Sequence, residues 1–205
     1  MIGTIWGYDV DLQTLPDLLT VSEYNVYTNN EYAGSSAQVA QEISAASAAV
    51  RNFVGWHLYP SAPCVLETHM LDRRVTFIGS DLLIQLPARF VTGVASVTIG
   101  GTAFSSYYCD RNGLLRVYNA AAPGRICEVK VEYTAGISED MMAPVKELIA
   151  HRVTHAVAVP AGITSEASGG VSVTYNANWI NNARATALAG DNKEILIPYK
   201  VQGVF

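Results

Sequence analysis

Positive charge is scarce in this chain. Lys and Arg number 13 against 18 Asp and Glu, giving a formal net charge of -5, and the basic residues form no run. A protein that holds nucleic acid without regard to sequence needs clustered cations to displace counterions from phosphates, so that class is excluded. An acidic balance suits instead a wall along which DNA passes without sticking. Cysteine is sparse as well. Cys64, Cys109 and Cys127 are an odd number without close pairing, which argues against a disulfide framework or a CxxC metal clip and for reduced thiols in a cytoplasm. Long apolar runs are missing: Pro60, Pro87 and Pro160 cut the longest stretches below the roughly 20 residues a membrane-spanning helix requires. Met1 to Leu19 holds Asp9, Asp11 and Asp17 and no Lys or Arg, unlike the positive start of a secretory signal. The expectation is a soluble chain with no membrane partner.

The familiar signatures of catalysis are absent too. Neither GxGxxG nor GxxxxGK[ST] occurs, and HExxH and GxSxG are missing, which removes the commonest nucleotide-dependent enzymes, zinc proteases and serine hydrolases. His151 and His155 stand four apart, a spacing that could present two imidazoles to one metal, as in a small metal-dependent hydrolase. No carboxylate or cysteine is placed to complete that site, and a polar helix face accounts for both histidines. Asp110-Arg111-Asn112-Gly113 imitates the opening of a calcium loop, yet Ala121 stands where a bidentate Glu is required, so a hairpin turn is the better reading. His57 and His69 lack a Ser or Cys partner at triad spacing. Glu139-Asp140 could pair as carboxylates, but acidic residues before a helix are common for electrostatic reasons alone. No catalytic residue, cofactor or metal ligand is assigned, and the chain is read as not an enzyme.

Apolar residues, by contrast, make up 50% of the 205 positions and charged ones only 15%. That excludes a disordered chain and leaves uncharged surface suited to contacts between subunits. A chain of this length buries about 70% of the surface it would expose unfolded, enough for one core. Residues 1–34 read as an irregular N-terminal arm with Tyr24, Tyr27 and Tyr32 as anchors, for packing ahead of interface contact. A helix follows over 35–59, capped by Ser35 with Gln38. Val39, Ile43, Ala46, Val50, Phe53 and Val54 form its apolar face, and Gln38, Gln41, Glu42 and Arg51 lie elsewhere on the wheel.

The period turns strand-like over 60–136, with runs at Val75 to Ile78, Leu82 to Leu86, Val94 to Ile99, Leu114 to Tyr118 and Ile126 to Tyr133. Gly100-Gly101, Asn112-Gly113 (as a type I′ turn) and Pro123-Gly124 mark reversals. A second helix over 137–160 starts at Pro144, packs Val145, Leu148, Ile149, Val153, Ala156 and Val157, and stops at Pro160. Residues 161–205 hold a loop, a short helix around Ala183 to Ala189 and a tail. The expected fold is α+β in a single domain, 1–205: a helical core of two main helices plus a short C-terminal helix, with a β-rich antiparallel insertion between the main helices.

Several passages carry a resemblance: Leu83-Ile84-Gln85-Leu86-Pro87 leading into Val94 to Ile99; Tyr107-Tyr108 through Asn112-Gly113-Leu114-Leu115-Arg116-Val117; Val129-Lys130-Val131-Glu132-Tyr133-Thr134-Ala135-Gly136; the Ser- and Gly-bearing Ile163 to Tyr175; and Ile195-Leu196-Ile197-Pro198-Tyr199-Lys200. In this order, over about residues 36 to 200, they resemble the head-tail connector or adaptor family of tailed bacteriophages, which docks beneath the portal ring. The arm before residue 35 and the stretch Cys64 to Gly79 are longer than that pattern.

The resemblance implies a structural head-to-tail adaptor subunit of the virion neck, made in the host cytoplasm. It would form a ring with copies of itself, commonly a dodecamer in that family, below the portal protein. The ring would extend the DNA channel without sequence-specific DNA binding and would present a docking surface to the next neck or tail-completion protein. Contact elements are expected in the loop, at Ser165, Glu166, Val171, Val173 and Tyr175, and in the tail, at Ile195, Ile197, Pro198, Tyr199, Lys200, Val204 and Phe205. A tail folded back on its own core is the alternative for the second group. A tail-completion or capsid-decorating protein would differ in partner and not in chemistry.

Overall fold

On the strand Glu128–Ala135, Val129, Val131, Tyr133 and Ala135 are buried, while Lys130, Glu132 and Thr134 between them are half-buried. Side chains alternate across a strand, so one sequence pattern builds both a core face and a wetter face. The computed structural model describes residues 1–29, 36–120, 127–158, 165–168, 171–174 and 191–201. Contacts divide the chain into two units, one from Met1–Pro16, Val54–Glu139 and Tyr199–Phe205, the other from Asp17–Phe53 and Asp140–Pro198.

The first unit is built of strands: β1 (Ile2–Gly3), β2 (Asp9–Val10), β3 (Ala62–His69), β4 (Val75–Ile78), β5 (Asp81–Gln85), β6 (Val91–Ile99), β7 (Thr102–Phe104), β8 (Tyr107–Cys109), β9 (Leu114–Val117) and β10 (Glu128–Ala135). They form a six-stranded sheet in the order β1-β2-β3-β10-β6-β7 and a four-stranded sheet in the order β4-β5-β9-β8. Every pairing is antiparallel. In the larger sheet, Val131 lies opposite Leu66 and Val97, and Tyr133 opposite Cys64 and Val94. On its other face Lys130 bridges Glu67 at 3.1 Å. In the smaller sheet Leu82, Ile84, Leu115 and Val117 are all fully buried. Burying each such side chain contributes roughly 1.5–3 kcal/mol, so these strands carry a core of their own.

That finding overturns the expected helical core with a β insertion. The strands are a β body of two antiparallel sheets, to which the first ten residues contribute two strands. The reason lies in the pairing: strands far apart in sequence join edge to edge into two sheets, with Leu66, Val97, Leu82, Ile84, Leu115 and Val117 buried on them.

Turn chemistry agrees with the sequence in part. Gly100 and Gly101, at φ 56° and 81°, make the two-residue link between β6 and β7. The Asn112-Gly113 turn departs from the expected type I′: only Gly113 has positive φ, and the Asp110 carboxylate accepts from the N–H groups of Asn112 and Leu114 to close the loop. Pro123-Gly124 lies outside the described residues.

The second unit holds α1 (Val21–Tyr27), most of α2 (Ser36–Val54), α3 (Ala143–Ala158), and the strands β11 (Ser165–Ser168) and β12 (Val171–Thr174). Within residues expected to be irregular, α1 forms on a capping box. Thr20 Oγ1 accepts from Glu23 N–H while the Glu23 carboxylate accepts from Thr20 N–H at 2.7 Å, which satisfies two otherwise orphaned donors. The Lys146 ammonium on α3 pairs with the same carboxylate. Burial alone would raise the Glu23 pKa, but the hydrogen bonds from Lys146 and Thr20 outweigh it and hold the carboxyl below its usual range.

On α2, Val39, Ile43, Ala46, Val50 and Val54 are buried as expected; Arg51, expected outside the apolar face, is buried too. Gly55 at φ 81° ends that helix. A 3-10 turn, Glu139–Met142, leads into α3, so Pro144 is its second residue and not its first. Ser35 and the helix expected around Ala183 to Ala189 lie outside the described residues.

Candidate interaction surface

Three places could meet a partner. The C-terminal segment Asp191–Tyr199 is a 3-10 helix on which exposure alternates sharply. Ile195 is 39% and Ile197 58% exposed, yet Leu196 is fully buried. Pro198 and Lys200 are exposed, but Tyr199 is not available. Trp56 Nε1 donates to its carbonyl at 2.7 Å, and Trp56 stacks on Phe90, whose ring lies 5.9 Å from that of Tyr199. Arg89 Nη1 donates to the Lys200 carbonyl and Val201 N–H to the Val54 carbonyl. Of the tail residues named from the sequence, Ile195 and Ile197 are the exposed large apolar ones, and Tyr199 is an anchor in the β unit. Val204 and Phe205 lie outside the described residues.

The loop residues named from the sequence resolve into a hairpin. Ser165 and Glu166 are in β11, Val171 and Val173 in β12, with Ser165 opposite Thr174 and Glu166 opposite Val173. Among the described residues neither strand has another neighbour. Tyr175 lies outside the described residues.

The third place was not found from the sequence. β4 is an edge of the four-stranded sheet, and its Phe77 and Ile78 are 42% and 58% exposed. Gln85 N–H donates to the Arg74 carbonyl. The antiparallel register, Val75 opposite Ile84 and Phe77 opposite Leu82, then turns the backbone groups of Thr76 and Ile78 towards β5 and those of Phe77 away from it. Phe77 lies on the same face as the fully buried Leu82 and so extends the core face to an open margin. The signal was legible: Val-Thr-Phe-Ile contains none of the Lys or Pro that usually blunt an edge.

The histidine pair of α3 also has a definite setting. His151 and His155 line an open groove of about 390 Å³ with Glu147, Ala150, Thr154 and the end of α1 at Tyr27, Thr28 and Asn29. Glu147 is the carboxylate that the sequence reading did not place, one helical turn before His151. No group of three His, Cys, Asp or Glu that could hold a metal ion occurs among the described residues. Partial burial, and secondarily the charge of His151, push the His155 pKa below its ordinary value. No described helix is long and apolar enough to cross a membrane.

A family model for head completion proteins matches residues 17–184. The chain belongs to the head completion protein family. It is thus a structural component of the bacteriophage particle, and the virion is its place. The matched range of this head completion protein takes in α1 to α3 and β3 to β12, including the β4 edge and the β11–β12 hairpin. It leaves out β1, β2 and the segment carrying Ile195 and Ile197. No curated protein matches the chain.

Proposed function

We propose that this head completion protein is a head-to-tail adaptor subunit. Copies close a ring below the portal protein, continue the DNA channel, and offer a docking surface to the next neck or tail-completion protein. The family match over residues 17–184 carries this reading, because a protein that completes a head acts where the head meets the next component of the particle. The composition supports it. An acidic chain with a net charge of -5 gives passing DNA no cationic patch to adhere to. Function is then geometry: heterologous contacts between identical neighbours close when the rotation per subunit divides a full turn.

The exposed Ile195 and Ile197 are the portal-contacting element in this reading, since exposed apolar side chains are the kind a partner groove takes up. Deleting the tail would pull Tyr199 from beside Trp56 and confuse folding with binding. The test is therefore the double substitution Ile195→Glu with Ile197→Glu. The folded variant should lose at least tenfold in portal binding in a pull-down against purified portal, and virions should carry the wild-type chain at the neck by gold-labelled electron microscopy. Undiminished portal binding rejects the tail assignment. Label at the capsid faces would reject the neck and favour a decorating role.

A further inference from the structure

Among the described residues, an apolar sheet edge and a lone hairpin each invite a further strand. The first is the β4 edge, where the backbone N–H and C=O of Phe77 face outward and the ring, on the core face of its sheet, remains 42% exposed. The second is the β11–β12 hairpin, whose strands among the described residues pair only with each other. An isolated two-stranded hairpin is at best marginal in water, so it calls for a neighbour. An open apolar edge is, conversely, a template for one. The two are matched in length, since β4 and β12 are each four residues. Val171-Ser172-Val173-Thr174 alternates valine with hydroxyl residues, the composition of a strand with one apolar side.

We infer that the β11–β12 hairpin of one copy adds to the β4 edge of a second copy, extending the four-stranded sheet across the boundary between subunits. The inference rests on the ring reading above and names the contact that would build the ring. Such a contact is heterologous, because one copy contributes its hairpin and the other its edge. Main-chain hydrogen bonds then supply affinity, and the cover given to Phe77 fixes the register.

The test uses the full chain and two variants, with native mass spectrometry over a concentration series reaching millimolar. Phe77→Pro removes the outward N–H and leaves the β4–β5 bonds intact, as proline is tolerated only on such an edge; Phe77→Lys serves the same end should the ring of proline strain the strand. In the second variant residues 165–174 are replaced by an equally long Gly-Ser segment. Circular dichroism and a denaturation midpoint establish that each folds. Oligomers of the wild type should fall at least tenfold in each variant alone. An equimolar mixture of the two should restore a one-to-one dimer, since one intact edge then meets one intact hairpin. Variants that oligomerise like the wild type overturn the inference and leave the ring to another contact. Loss in both without rescue on mixing overturns it in favour of an edge-to-edge pairing. A wild type that stays monomeric throughout overturns it as well, while portal binding through Ile195 and Ile197 is read independently of it.

Discussion

Tyr8 and His57 share a 2.8 Å hydrogen bond between the phenol and Nδ1, and both residues are buried. His57 Nε2 lies 3.1 Å from the carbonyls of Pro60 and Ala135. Carbonyls only accept, so Nε2 carries the proton and Nδ1 is left to accept from Tyr8. The phenol oxygen accepts in turn from the His57 backbone N–H at 3.1 Å. One side chain from the first ten residues thereby satisfies two buried groups near the start of β3. Tyr8→Phe should destabilise the protein by about 1–3 kcal/mol, the cost of leaving buried polar groups unpaired. A urea midpoint equal to the wild type would show that water replaces the phenol.

Gly136 follows β10 at φ 140°, and a Cβ there would lie 2.3 Å from Ser61 Cα and 2.6 Å from the Pro60 carbonyl. Both neighbours are backbone and have no rotamer by which to retreat. Gly136→Ala is expected to cost roughly 2–4 kcal/mol through strain and forced displacement. Gly79, also at positive φ but facing open space, is the control: Gly79→Ala should cost only about 1 kcal/mol. Equal losses in thermal or urea unfolding would show that φ alone, and not the collision, governs Gly136.

His155 has a folded pKa below its ordinary value, from partial burial first and the His151 charge second. Between that depressed value and about 6.5 the unfolded chain binds more protons than the folded one, so stability falls as pH drops through this window. His155→Gln should flatten the dependence of unfolding free energy between pH 7 and 5.5. An unchanged slope would assign it to other groups.

Burial pushes the Cys64 thiol up to about 12, and burial with the Asp110 charge pushes Cys109 up to about 11. At pH 8 roughly one Cys64 in ten thousand is thiolate, and about one Cys109 in a thousand. Iodoacetamide should therefore leave both unmodified in the native protein over an hour and label both in denaturant, as peptide mass mapping would show. Rapid native labelling of Cys64 would mean that β3 opens.

Long periodic segments were legible from residue order because their pattern is local. The Val39 to Val54 face of α2 and the span of α3 repeat at the helical period, whatever surrounds them, and the strand Val75 to Ile78 stands out by its residue types. So were the Gly100-Gly101 reversal and the lack of basic runs. The Thr20 to Glu23 capping box was also present in the sequence, and so was Glu147 one turn before His151, though neither was read from it.

Residue order could not decide which apolar faces meet. The same strands serve as an insertion on helices or as a β body of two sheets, and pairing such as Leu66 with Val131, across a long stretch of chain, settled it. The tail makes the same point at one residue. Ile195, Ile197 and Tyr199 are alike in sequence as apolar members of a short segment, yet Trp56 and Phe90, more than a hundred positions away, hold Tyr199 and leave the two isoleucines to solvent. Propensity and period are written within a few neighbours; burial depends on which distant surfaces the folded chain brings together.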